Sequence, residues 1–284
     1  MLRLAALVAL TMVAFAANSV LNRMALAGTS TGPAAFASMR LAAGAVVLGL
    51  LVLRQSGPAR LRAALAPRNA AALAVYMVGF SFAYLSLNAG LGALLLFGGV
   101  QITMFAGSLI ARETIPPRRW AGATLAFAGL VWLLWPTGAA APSPVGAMLM
   151  LAAAVGWGIY SLLGRGARDP LAVTAGSFLI ALIPALAVLV LAPGRIDLAG
   201  AGLAILSGGV TSGLGYALWY SLLPQLAASV AAVVQLTVPV IAALAGTLLL
   251  GETLTTRFVI AAALVIGGVA FAIMAGPSAR ARRR

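Results

Sequence analysis

The sequence predicts an all-α integral membrane protein of ten transmembrane helices, arranged as two inverted five-helix repeats. Three observations carry this prediction. Of 284 residues, 63% are hydrophobic and 8% charged, against about 45–50% and about 25% in soluble domains. A soluble core of this size could not hide so much apolar surface, so the excess must face lipid. Uncharged stretches cover 4–22, 69–111, 120–164, 170–194, 198–251 and 258–279, with 24–53 interrupted only by Arg40. Finally, two short segments of the first half recur in the second.

Crossing about 30 Å of hydrocarbon takes about 20 helical residues, so the longer apolar stretches must fold back. Breakers supply the turns: Asn88-Ala89-Gly90-Leu91-Gly92, the segment Pro136 to Pro144, and Pro224-Gln225. The predicted helices are 4–22, 33–53, 70–88, 92–111, 120–136, 145–164, 170–192, 198–220, 227–250 and 258–276. Residues 1–17 also resemble a cleavable leader, with a basic start, an apolar run and Ala14-Phe15-Ala16. They are read as a retained first helix, because the segment has a counterpart later in the chain.

The net charge of +14 comes from arginines placed between apolar runs. Nucleic-acid binding would need them gathered on one solvated surface, so they are read as topology signals. With both termini cytoplasmic, the inner side carries Arg3, Arg54, Arg60, Arg62, Arg68, Arg112, Arg118, Arg119, Arg165, Arg168, Arg280, Arg282, Arg283 and Arg284. Only Arg23, Arg195 and Arg257 fall outside, and Arg40 lies within the second helix. This bias obeys the positive-inside rule, and changing the helix number by one would scramble it. The expected location is therefore the cytoplasmic membrane, crossed repeatedly.

Residues 104–134 align on 243–273, placing Arg112-Glu113-Thr114 on Gly251-Glu252-Thr253 and Gly129 on Gly268. Ser19 to Arg23 likewise falls on Ser161 to Arg165. Five helices is an odd number, so the second half enters the membrane upside down relative to the first. Glu113 is then cytoplasmic and Glu252 external, the geometry that offers two gates around one central site. The divisions are a first repeat at 1–136, a second at 145–276 and a basic cytoplasmic tail at 277–284, which suits anionic lipid.

These residues resemble the drug/metabolite transporter superfamily, in its EamA-like ten-helix branch, over nearly the whole chain. The resemblance rests on Trp157-Gly158 with Tyr160-Ser161, on Gly213 through Tyr220, and on Pro239 with Leu250-Gly251-Glu252. In the first half it rests on Arg40, Tyr84 and Glu113. Two departures stand out: Phe15-Ala16 replaces the Trp-Gly usual in helix 1, and Val100 stands where helix 4 usually has proline. The resemblance implies a transporter of small metabolites without a cofactor, the family's substrates including amino acids, nucleosides, sugar derivatives and drugs.

Polar side chains in hydrocarbon are costly unless they face protein or water. Asn18 and Asn22 are four apart on helix 1; Ser81, Tyr84 and Asn88 share a face of helix 3; Gln101 lies near the middle of helix 4. Trp157, Tyr160 and Ser161 share a face of helix 6, Ser212, Tyr216 and Trp219 one of helix 8, and Gln235 precedes Pro239 by four. One reading sets Asn18, Asn22, Arg40, Tyr84, Gln101, Trp157, Tyr160, Ser212, Tyr216 and Gln235 around a cavity for a small solute. The other makes the same polar groups helix–helix contacts. Arg40, about 10 Å from the outer end of its helix at 1.5 Å per residue, is either an anchor for an anion or an internal gate partner, or else a cation that snorkels to the interface or bonds neighbouring carbonyls. Glu113 and Glu252 are placed at helix ends, in gating or turn-stabilising roles. Gly209-x-x-x-Gly213 suits close helix packing, the alternative being a hinge that bends during access.

The chain has no cysteine and no histidine, which removes disulfides, thiolate or imidazole metal sites and nucleophile–histidine relays. Asp169 and Asp197 fall in loops on opposite sides, unlike the paired aspartates of an intramembrane protease. With no acid expected at mid-membrane, the transport mode is read as facilitation or exchange, or else as ion dependence arising at Glu113 or Glu252. A lipid or lipid-linked flippase of the same fold is the alternative. The partners expected are the small-molecule substrate and the bilayer.

Overall fold

The computed structural model describes residues 2–112, 115–135, 142–164, 167–222, 225–226 and 234–274. Among these residues regular structure is entirely helical. The helices are α1 (Leu2–Gly28), α2 (Pro33–Ala63), α3 (Pro67–Ala83), α4 (Ala89–Ile110), α5 (Pro117–Leu134), α6 (Pro144–Gly164) and α7 (Pro170–Leu191). An eighth rod has three pieces: α8 (Leu198–Ile205), a π-helical stretch (Leu206–Leu214) and α9 (Gly215–Leu222). Then come α10 (Thr237–Leu250) and α11 (Thr256–Met274). Six spans are long and apolar enough to cross a membrane, namely α1, α2, α4, α6, α7 and Leu198–Trp219; Thr237–Leu250 and Thr256–Ala272 are shorter apolar helices. The whole fits a multi-pass protein of ten helices.

Proline opens many of these helices. Pro33, Pro67, Pro117 and Pro170 each occupy the first turn, where the missing N–H is one no intrahelical carbonyl would have used. Asp169 and Asp197 cap α7 and α8, accepting from the backbone N–H groups of Ala172 and Gly200 at 3.1 and 2.7 Å. The N–H of Gly200, then the N–H and hydroxyl of Ser30, hold the Asp197 carboxyl below its ordinary pKa.

Several predicted boundaries move. The second helix runs past 53 to Ala63, across a break at Gly57 (φ 78°) just before Pro58. The third stops at Ala83 instead of continuing to 88, so Ser81, Tyr84 and Asn88 do not form one helical stripe. Asn88 instead begins α4, with extended backbone. The helix end is stable there because Arg23 Nη1 donates to the freed carbonyls of Tyr84 and Leu85, at 3.0 and 3.3 Å. In the ninth helix only Val234, Gln235 and the segment from Thr237 belong to described helical structure; residues 227–233 lie outside the described set.

In the packing, α5 lies on α11, α3 on α6, α2 on α7, and α4 on both α6 and α10. The eighth rod lies between α1 and α2, α3 also touches α7, and α1 also touches α10. Large apolar side chains such as Leu50, Phe127, Ile183 and Leu248 point outward, where lipid would cover them. Trp120, Trp132 and Trp135 are exposed near the ends of α5, as interfacial belt residues are. Loops 29–32 and 192–197 are tied together by Gly32 N–H to the Arg195 carbonyl at 2.8 Å and by Ser30 to Asp197. Arg60 pairs with Asp169 at 2.6 Å, joining the end of α2 to the start of α7.

Candidate functional site

The polar residues that a membrane helix can least afford to bury converge where α1, α2, α3, α4, α6 and the eighth rod meet. Ser207, Thr211 and Ser212 lie on the π-helical stretch, whose wider turn sets their hydroxyls on one side. All three lie within hydrogen-bond distance of Asn18 Oδ1, at 2.8, 2.6 and 3.1 Å. An amide oxygen has two lone pairs, and the Thr211 hydroxyl has the Ser207 carbonyl at 3.0 Å as a second acceptor, while the Ser212 hydroxyl has a further role as an acceptor. It accepts from Arg40, whose Nε and Nη2 lie 3.2 and 3.1 Å from its oxygen.

Arg40 is wholly buried. Its Nη2 also donates to the Tyr76 hydroxyl at 3.2 Å, and its guanidinium carbon lies 5.6 and 5.0 Å from the Tyr76 and Phe80 ring centres. Nη1 has no hydrogen-bond partner. The snorkelling reading of Arg40 is therefore excluded: the side chain stays inside the protein. Its seat depends on Gly208, where a Cβ would come within 2.8 Å of the Arg40 carbonyl carbon. Only glycine permits that approach of the π stretch to α2.

Beside this polar chain is a small cavity. Asn18, Ser19, Tyr76 and Phe80 form one part of its lining, Phe15, Leu96 and Phe97 another, and Trp157 and Tyr216 close it. The aromatic members touch one another: Trp157 is 4.9 Å from Tyr76, 5.1 Å from Tyr216 and stacked on Tyr160 at 5.5 Å, while Phe15 meets Tyr216 edge-on at 5.6 Å. The free space is about 10 Å³, room for about one water molecule. A solute can therefore enter only if these helices part.

Of the residues singled out from sequence, Asn18, Trp157 and Tyr216 line the cavity, and Arg40 and Ser212 stand directly behind its wall. Asn22 and Tyr160 are buried next to it in structural bonds, Asn22 Oδ1 accepting from Ser81 at 3.1 Å and Tyr160 donating to Thr174 at 3.1 Å. The Tyr84 hydroxyl donates to the Ala89 carbonyl at 3.3 Å. Gln101 and Gln235 are half-buried on α4 and just before α10, outside the lining. Glu113 lies outside the described residues, as do Arg165 and the basic tail. Phe15, Ser19, Tyr76, Phe80, Ser207 and Thr211 were not singled out as ligands. Tyr76 and Phe80 are four apart in sequence, and that aromatic pair on α3 was a signal available to find them. Gly209 and Gly213 face Val47 of α2, as close packing requires.

A second network closes one end of the bundle. Arg23 Nε donates to Glu252 Oε1 at 3.3 Å, and Glu252 Oε2 accepts from the Ala89 N–H at 2.8 Å. Gly251, in the left-handed region (φ 65°), ends α10 and turns the Glu252 side chain back over Gly246. The carboxylate thus ties α1, the α3–α4 turn and the end of α10 together.

Residues 144–274 match the EamA-like transporter family. The chain is 50% identical to an uncharacterized protein of Pseudomonas aeruginosa over 279 residues, covering 98% of this chain and 96% of that one. It is 27% identical over 205 residues to a protein of Archaeoglobus fulgidus named as an uncharacterized transporter, covering 69% of this chain and 72% of that one. A crystal structure 21% identical in sequence superposes with a TM-score of 0.68 over 98% of both chains, and so shares the fold. Apolar helical rods around a buried polar centre, and these relatives, agree: the chain belongs to the EamA-like family of the drug/metabolite transporter superfamily.

Proposed function

We propose that this chain is a secondary transporter that carries a small polar or amphipathic solute across the cytoplasmic membrane by alternating access. The observation that carries the proposal is the Arg40–Ser212–Asn18 chain behind an aromatic-walled cavity. A buried charge and a run of hydroxyls are costly in an apolar bundle, and where they occur within membrane spans they mark solute or ion pathways.

Two inverted repeats, 1–136 and 145–276, account for the pattern of contacts. Numbering the rods one to ten, with the eighth composite and α10 and α11 as ninth and tenth, add five to each rod of the first half and subtract five from each of the second. The contact of three with six becomes eight with one, four with six becomes nine with one, and two with eight becomes seven with three. Two with seven, four with nine and five with ten map onto themselves. A bundle with this exchange symmetry has two equivalent ways to open. The Arg23–Glu252 network is the latch of the external end in the orientation that puts both termini and most arginines in the cytoplasm. No carboxylate lies in the central cluster among the described residues, which favours facilitation or exchange over proton coupling.

Uptake into liposomes containing the purified protein tests this, with amino acids, nucleosides, sugars, organic anions and cationic drugs as solutes. Saturable uptake that runs down a solute gradient is expected. Accumulation that requires an imposed proton gradient would overturn the facilitator form. Movement of fluorescent lipid between leaflets, with no solute uptake, would replace the reading with a flippase.

A further inference from the structure

The carboxylates described in this protein are all occupied away from the centre. Glu252 holds Arg23, Asp169 holds Arg60, and Asp197 caps α8. The partners of Arg40 are two neutral hydroxyls and two aromatic rings, and Nη1 has none. Arginine does not deprotonate inside proteins, so a full positive charge sits in the bundle with half of its guanidinium fork unsatisfied. Such a cation is stable when an anion comes to it.

Resting on the transport reading, we propose that the solute is a small organic monoanion, a carboxylate on an apolar or aromatic body, and that Arg40 is its anchor. The carboxylate displaces the Tyr76 hydroxyl from Nη2 and takes Nη1 and Nη2 as a two-pronged pair. That geometry is the one guanidinium and carboxylate favour. Ser212 keeps the remaining Nε oriented, itself held by Asn18. The body of the solute then lies among Phe15, Phe80, Trp157 and Tyr216, which already meet around the cavity. Arg40 stands behind a lining that, among the described residues, holds no basic group of its own, which suits one negative charge rather than a phosphate dianion. Among the described residues no acidic side chain lines the cavity, so an ammonium group finds no counter-charge there.

The test uses the full chain in lipid nanodiscs and in liposomes. Benzoate, octanoate and indole-3-acetate are compared with their neutral amides, with benzylamine and with phenylalanine. At least one carboxylate should raise the melting temperature and be taken up with an apparent affinity at least tenfold better than its amide. Arg40→Gln should abolish that difference. Should Arg40→Gln fail to fold, Tyr76→Phe decides instead: without the competing hydroxyl, the carboxylate should bind several-fold tighter and the amide unchanged. Equal binding of acid and amide, or preference for benzylamine or phenylalanine, overturns the anion site while leaving a transporter. Silence of every carboxylate also overturns it, and the transport reading falls only if the wider solute panel is silent too.

Discussion

Arg23 and Arg40 are the same side chain in two settings. Arg23, at one end of α1, finds a carboxylate and two backbone carbonyls, and its side chain keeps 21% of its exposure. Arg40 is fully buried, finds hydroxyls and ring faces, and leaves a nitrogen unpaired. The first is a fastening, complete within the chain. The second is incomplete, and incompleteness at the centre of a transporter bundle is what a solute can use. Contacts that hold the fold and contacts that hold a ligand thus differ in whether the protein itself satisfies them.

The largest effect should come from Arg40→Met. Uptake of the physiological solute should weaken by about 10–100-fold, the equivalent of a lost charge-assisted hydrogen bond of about 1.5–3 kcal/mol. Thermal stability should hold or rise, because replacing a buried ion by an apolar side chain of similar length is often neutral or stabilising. A melting temperature that collapses with Arg40→Met would erase the contrast and make Arg40 a structural cation. Gly208→Ala comes next. The added methyl meets the Arg40 backbone, so stability should fall by about 1–3 kcal/mol. Gly209→Ala, whose Cβ meets only Val47 at 3.2 Å, should fall by less, as thermal unfolding in detergent would show.

Glu252→Gln should be smaller in stability, about 1 kcal/mol, but visible in conformation. The chain has no native cysteine, so Ser19→Cys can report access to the cavity by an impermeant thiol reagent. Labelling from the end closed by Arg23 should rise several-fold when Glu252 loses its charge, and unchanged labelling would remove the latch. The smallest effect belongs to Asp197→Asn, on the exposed loop. The pKa of Asp197 is lower folded than unfolded, so its contribution is present above the unfolded value, about 3.9, and lost as pH falls through the folded one. The wild type should therefore lose slightly more stability than the variant between pH 5 and acid conditions, measured by melting temperature.

Hydropathy and the spacing of breakers are local properties, and they located most rod ends to within a few residues, the ends of α1, α2 and α3 excepted. At the end of α3 a tertiary partner intervened: Arg23 took the carbonyls that would have continued the helix. Intramembrane polarity also picked out Asn18, Arg40, Trp157, Ser212 and Tyr216, because any such residue is conspicuous in hydrocarbon. It could not separate them from Gln101 and Gln235, equally polar and equally apt on a helical wheel. Ser207 and Thr211, four apart, would share a face of an ordinary helix; the π-helical turn shifts the phase so that Ser212 joins them at Asn18. A periodicity of 3.6 has no way to anticipate that shift.

By itself, then, the sequence determined that the chain is helical and membrane-spanning and that Arg40 lies deep in an apolar run, since composition and run length decide those matters before any contact forms. The three-dimensional structure decided which faces meet. The rotation of each rod about its axis is set by its neighbours, as Gly208 against Arg40 and Glu252 against Arg23 and Ala89 illustrate. Whether a buried polar group is satisfied or left waiting depends on residues far away in the chain, and only packing brings them together.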